Sequence, residues 1–249
     1  MPETFWPHGA RGAVSLSYDD AMPCHRELVA PALEAHGLHG TFYAPYRDDL
    51  VQHTAAWRAM AAAGHELGNH SLFHPCRRER PVPDDWLAGW NNLCHFDPDR
   101  LRGELGAANF MLSLLDGRAQ RTYGNTCHDV WIGPPESRQR IEPLLAQLFV
   151  AARGECLNRP SDPLTADLFN LGTTGGDGGD FAQWQAQIEQ AEAVGGYLLL
   201  TFHGVGEGLR RLQVDSGEHQ RLLAWLQASA GEIWTAPVVE VAGWIRDRR

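Results

Sequence analysis

The sequence lacks a surplus of basic charge. Its 21 Lys and Arg stand against 31 Asp and Glu, for a formal charge of −10. Nucleic-acid binders present a basic face whose charges displace condensed counterions, so no nucleic-acid partner is expected. No uncharged apolar stretch approaches the roughly 18 residues that a membrane-crossing helix needs, so no transmembrane segment is expected either. The opening residues MPETFWPHGARG carry neither a basic n-region nor an apolar h-region, and the expected location is cytoplasmic. Cysteine is sparse and odd in number: Cys24, Cys76, Cys94, Cys127 and Cys156, with no CxxC pair. Such usage fits free thiols in a reducing cytosol better than a secreted disulfide framework, although spacing leaves a Cys76–Cys94 link open. There is no domain linker, no fixed-period repeat and no low-complexity tract beyond the glycine turn TTGGDGGD at 173–180.

What is present suits one packed core. The chain is 43% hydrophobic and 21% charged over 249 residues, values ordinary for a soluble domain and a length ordinary for a single α/β barrel. AVSLSY (13–18) reads as a strand that stops at Asp19-Asp20, and an apolar face from Leu28 to Ala35 reads as the following helix. GTFYAP (40–45) is a second strand, 54–63 a second helix and HELGN (65–69) a short third strand. Between Pro75 and Pro98 the pattern lapses into a loop or cap. Helical spacing resumes over 100–115. Strands are expected near 121–126, at LFVAA (148–152), at LFNL (168–171) and at YLLLTFH (197–203), with helices over 136–147, 181–194, 219–230 and 238–248. Strands alternating with helices imply a parallel α/β architecture, and the length favours a barrel. The whole of 1–249 is therefore expected to be a single catalytic domain, with a cap or loop insertion at about 75–98.

Polar residues collect where these strands end, the face on which parallel α/β folds carry their chemistry. Asp19-Asp20 follows the first strand, His70 and His74 the third, and His203 ends the strongest, YLLLTFH. Two imidazoles at i and i+4 on one side of a helical turn can meet a single cation, and an added carboxylate makes a hydrolytic metal site with open positions. Each feature alone has a plainer reading. Adjacent aspartates are commonly a solvated turn or helix cap, an HxxxH pair is a weak signal, and a histidine ending an apolar run can be a hydrogen-bonded core residue. All three falling after strands favours the chemical reading.

With those residues in view, AVSLSYDD, GHELGNHSLFHP and LLLTFHG resemble motifs of the polysaccharide deacetylase family, carbohydrate esterase family four. The resemblance implies a distorted (β/α) barrel of about seven parallel strands and metal-assisted deacetylation of an N- or O-acetylated carbohydrate, whether small molecule or oligosaccharide. It implies Asp19 as the base that activates water at the metal, and Asp20, His70 and His74 as ligands of one divalent metal, most often zinc. His203 would protonate the leaving group. The family's middle motif departs: the corresponding stretch is TYGNTCHD (122–129), with Gly124 where an arginine is expected and Cys127 where the oxyanion amide is expected. Arg121 reads first as a surface or strand-edge cation and second as a substitute for the missing charge. His128 is a further oxyanion or substrate candidate. Trp86 and Trp90 are candidate sugar platforms, against a reading as packing anchors. Two other functions stay open: hydrolysis of a non-sugar linear or cyclic amide, and carbohydrate binding with lost turnover. A homo-oligomer is also open.

Overall fold

The computed structural model describes residues 4–83, 85–207 and 212–249. Seven parallel strands follow one another in chain order: β1 (Gly12–Asp19), β2 (Thr41–Ala44), β3 (Glu66–Asn69), β4 (Tyr123–Gly124), β5 (Ala152–Cys156), β6 (Leu171–Gly175) and β7 (Tyr197–Phe202). Pairing of β1 with β7 closes them into a barrel. The closure is uneven. β8 (Ile233–Thr235) pairs with Gly12–Val14 at the start of β1, and β2 takes over that edge only at Ser17–Asp19. Between β3 and β4 the ladder is reduced to Asn69 opposite Tyr123. Around the barrel run α1 (Ala30–Ala35), α2 (Asp48–Gln52), α3 (Thr54–Ala62), α4 (Pro98–Asp116), α5 (Glu142–Leu148), α6 (Phe181–Ala193), α7 (Ser216–Ala228) and α8 (Val238–Asp247). Among the described residues no helix is long and apolar enough to cross a membrane.

The alternation within β1 explains both layers. Successive strand side chains point to opposite faces. Val14, Leu16 and Tyr18 join a hydrophobic cluster with Val29, Leu33, Ile188 and Leu222 from the surrounding helices. Ser15, Ser17 and Asp19 take the other face, where the Ser17 hydroxyl bonds the Leu200 carbonyl (3.0 Å) and lies 3.1 Å from Thr201 Oγ1. The barrel interior is thus small, polar and hydrogen-bonded, as buried polar groups must be.

Two strands fall several residues from their expected positions. LFVAA was the expected strand, but Leu148 ends α5 and the strand begins at Ala152; LFNL gives way to Leu171–Gly175. Arg153, Thr173 and Thr174 are buried staves of the barrel, and their polarity hides the strands from a hydrophobic-run criterion. The helix expected over 136–147 starts only at Glu142, with Pro143 in its first turn, a position proline favours. Within the stretch expected as a loop or cap, 3-10 turns form at Gly89–Asn91 and Leu93–His95.

The expectation of five free thiols is corrected. Cys76 and Cys127 form a disulfide, while Cys24, Cys94 and Cys156 are free, so the Cys76–Cys94 link does not form. A separation of 51 residues conceals the pairing; the fold makes it by setting the turn after β3 against the turn after β4.

Candidate active site

Asp19 ends β1 and is 3% exposed. Immediately beyond it, Asp20 (φ 80°) and Ala21 (φ 48°) are left-handed. The chain therefore turns sharply, and the two adjacent carboxylates enter different surroundings. Asp20 reaches the cavity mouth, 3.4 Å from Arg47 Nη2 and 3.4 Å from His74 Nε2. Asp19 stays inside. Arg153 Nη1 donates to both of its oxygens, at 2.9 and 2.7 Å, and also to Thr201 Oγ1 at 3.1 Å. Burial alone would raise the Asp19 pKa; the Arg153 guanidinium instead holds it well below the carboxylate range.

His70 and His74 do converge, but not on a helical turn as expected. Ser71 (φ 58°) and His74 (φ 55°) are left-handed, and the loop is pinned by Ser71 N donating to Asn69 Oδ1 (2.7 Å) and His74 N donating to Ser71 Oγ (2.9 Å). Asn69 is itself anchored to α4 through the Leu105 carbonyl at 3.0 Å. The His70 ring donates from Nδ1 to the Gly124 carbonyl at 2.7 Å, which leaves the Nε2 lone pair facing the cavity, the tautomer a metal-binding histidine requires. Burial pushes the His70 pKa down to about 3, against the pull of Asp19, and lowers His74 too, so both rings are neutral. One ligand atom each from Asp20, His70 and His74 lie within 4.8 Å of one another. Two neutral imidazoles and a carboxylate form a donor set that fits a divalent ion with open positions.

On the opposite side, His203 follows β7. Its Nδ1 lies 2.6 Å from Asp177 Oδ2, and its backbone N–H donates to Asp177 Oδ1 at 3.0 Å. Burial disfavours the imidazolium, but the Asp177 hydrogen bond and the Asp19 charge outweigh it and raise the His203 pKa. Asp177 therefore fixes both the backbone and the ring of His203.

The Gly124 position has a steric explanation. A Cβ there would lie 2.7 Å from Cγ of Tyr43, whose ring fills the space inside the barrel. No larger residue fits, and the cation comes from the neighbouring strand: Arg153 in β5 lies with Cζ 4.9 Å from the Tyr43 ring centroid. Arg121 is neither a surface cation nor the substitute. It is buried at the other end of β4, where it donates to the Leu67 carbonyl (2.7 Å) and pairs with Asp116 (3.1 Å).

The cavity holding these groups, ≈ 590 Å³, is also lined by Trp86, Cys127 and His128. His128 donates from Nδ1 to the Gly154 carbonyl at 3.2 Å, and burial brings its pKa to about 4. Trp86 is 63% exposed at the mouth, its ring centroid 5.8 Å from that of His74. Trp90 lies outside the lining and meets Phe73 edge-on at 5.5 Å. A larger concavity, ≈ 900 Å³, is lined by Phe5, Trp6, Glu232 and Trp244 near the starts of β1 and β8; the site follows the converging charges rather than the volume.

Arg153 and Asp177 are the two partners that sequence reading missed. Asp177 stands in the glycine turn at 173–180, yet it follows the strand Leu171–Gly175, and that placement is the available signal.

The fold is shared with solved structures. A polypeptide from Mycobacterium smegmatis ascribed to the polysaccharide deacetylases superposes with a TM-score of 0.64 at 17% identity, over 98% of this chain and 93% of that one. A family 4 acetyl xylan esterase from Clostridium thermocellum, solved with a cobalt ion, gives 0.55 at 14% identity, over 95% and 96%. A gellan lyase from a Bacillus species is 23% identical over 160 residues, which is 64% of this chain but only 5% of that protein's length. Residues 8–102, which hold Asp19, Asp20, His70 and His74, match the family described as polysaccharide deacetylase.

Proposed function

We propose that this protein is a metal-dependent hydrolase that removes an acetyl group from an N- or O-acetylated carbohydrate, the whole chain serving as one catalytic domain. The observation that carries this reading is the convergence of three units in one cavity: Asp20/His70/His74, Asp19 with Arg153, and His203 with Asp177. A divalent ion held by Asp20, His70 and His74, with zinc the best match to the donors, would polarise the acetyl carbonyl and acidify the attacking water. Asp19, kept ionised by Arg153, accepts the proton of that water. His203, whose pKa the Asp177 hydrogen bond raises, donates to the departing amine or alcohol. The backbone N–H of Cys127 is the candidate donor to the developing oxyanion. The exposed face of Trp86 offers a platform for a sugar ring.

The contact between Arg153 and Asp19 removes the main reason for a binding protein without turnover, since the base is supported despite Gly124. No feature of the cavity favours a non-sugar amide. Acetate release from a panel of acetylated glycans and small amides is the direct test. Release from a glycan should fall to background on chelation and return with zinc or cobalt. Release that persists in metal-free protein, or none from any glycan, overturns the reading.

A pH profile tests the His203 assignment. Asp177→Asn removes the acceptor that raises the His203 pKa, so the ring loses its proton at lower pH. Activity that needs imidazolium falls as pH rises through that pKa, and the alkaline limb should move down by about one pH unit. An unmoved limb rules out His203 as the donor.

A further inference from the structure

The disulfide lies against the same histidine that serves the first metal set. Cys76 Sγ is 3.7 Å from His74 Nδ1, and the ligand atoms of His74, Cys76 and Cys127 lie within 4.8 Å of one another. Cys76 is buried, whereas Cys127 is exposed and lines the cavity, so a small reductant can reach the bond. We propose that reduction of Cys76–Cys127 creates a second, sulfur-rich site for a soft divalent cation, formed by the two thiolates and His74 Nδ1. This site and the Asp20/His70/His74 set are mutually exclusive.

The geometry is close to what such a site needs. A tetrahedral ion with bonds of about 2.3 Å to sulfur and about 2.0 Å to nitrogen has a sulfur–nitrogen edge of about 3.5 Å. The separation from His74 Nδ1 to Cys76 Sγ, 3.7 Å, is nearly that edge already. The remaining adjustment is a swing of Cys127, which sits in an exposed left-handed turn (φ 52°). The chemistry balances: a phosphine or dithiol gives two electrons to the sulfur–sulfur bond and is itself oxidised to the phosphine oxide or the disulfide. The two thiol protons leave to solvent when the cation binds. Thiolates prefer soft cations, as the carboxylate of Asp20 does not.

Exclusion follows from the ring. A neutral imidazole has one lone pair. When His74 Nε2 is the ligand, Nδ1 carries the proton and points at Cys76. When Nδ1 is the ligand, Nε2 carries it and faces Asp20 Oδ1, at 3.4 Å. The disulfide thus decides which nitrogen has a competing partner. The inference borrows from the proposed function only the place of His74 in the first set.

Cadmium titration of the full chain, followed by ultraviolet absorbance and equilibrium dialysis, tests it. The oxidised protein should bind cadmium without a sulfur-to-metal charge-transfer band. After treatment with a phosphine and its removal without oxygen, the band should appear with two thiolates per ion, and affinity should rise by about tenfold or more. Cys127→Ser should abolish the band, His74→Ala should weaken its binding by about tenfold or more, and His70→Ala should keep it while losing cadmium binding in the oxidised form. No band in the reduced wild type, an undiminished band in reduced Cys127→Ser, or loss of the far-ultraviolet circular dichroism on reduction each overturns the proposal. Absence of cadmium from the oxidised protein with a normal band in the reduced one counts instead against the Asp20/His70/His74 set.

Discussion

Arg153→Met should lower turnover by about three orders of magnitude and destabilise the fold by about 3–5 kcal/mol at neutral pH. Both effects come from Asp19. Its two oxygens accept from Arg153 at 2.9 and 2.7 Å inside the barrel; methionine fills much of the volume but leaves the carboxylate buried without a cation. Desolvation, already the largest single influence on Asp19, is then opposed only by the histidines, and the pKa rises. A base that is protonated at working pH cannot accept the proton of water. The pH dependence of stability fixes the sign. In the wild type the depressed Asp19 pKa contributes stability that is present above the unfolded value, near 3.9, and lost only as pH falls through the folded one. In the variant the folded pKa lies above the unfolded value, so destabilisation sets in as pH rises past the unfolded value and shrinks in acid. Thermal unfolding at pH 7 and pH 4 should therefore show the two proteins converging at the lower pH. Arg153→Lys keeps the charge but not the planar fork that also reaches Thr201 and the Asn125 carbonyl, and should fall between the two. Turnover of Arg153→Met within about threefold of wild type would remove Arg153 from the machinery.

That the contact of Arg153 with Asp19 was not visible beforehand shows where the sequence was legible. The ends of β1, β3 and β7 could be read because apolar or alternating runs stop there at residues that water or chemistry must satisfy: Asp19, His70 and His203. The stave Ala152–Cys156 could not. Its sequence ARGEC contains no apolar run, since a barrel with a polar lumen turns Arg153 inward and satisfies it with Asp19 and Thr201 rather than with water. Asp177 was hidden differently: glycines on both sides suggested flexibility, while its two carboxylate oxygens are in fact fixed on the His203 backbone and ring. The turn that joins His70 to His74 is not the helical one that the spacing implies. Spacing of four suggested helix; left-handed Ser71 and His74 bring the rings together without one. The disulfide depends on two turns meeting in space, which no local pattern encodes.

Asp19→Asn, Asp20→Asn and His70→Ala should each reduce turnover by about three orders of magnitude or more, yet separate by metal content. The distinction matters because His70 Nε2 lies 3.7 Å from Asp19 Oδ2, near enough that Asp19 rather than Asp20 could be the ligand. Three features favour Asp20. Both Asp19 oxygens already accept from Arg153, and drawing either toward a cation would set that cation against a buried guanidinium. Asp20 meets its cation, Arg47, at a longer 3.4 Å and on the exposed side. His74 Nε2 is also directed at Asp20, at 3.4 Å. Asp19→Asn should accordingly retain about one ion per chain while losing turnover, because the amide has the shape of the carboxylate but no basicity. Asp20→Asn and His70→Ala should lose the ion, the second also breaking the hydrogen bond to the Gly124 carbonyl that sets the ring's tautomer. Raising the metal concentration should restore part of the Asp20→Asn activity, since the amide oxygen remains a weak ligand, and none of the Asp19→Asn activity. Loss of the ion from Asp19→Asn with retention in Asp20→Asn would exchange the two roles, leaving Arg153 to neutralise a ligand and Asp20 to act as the base.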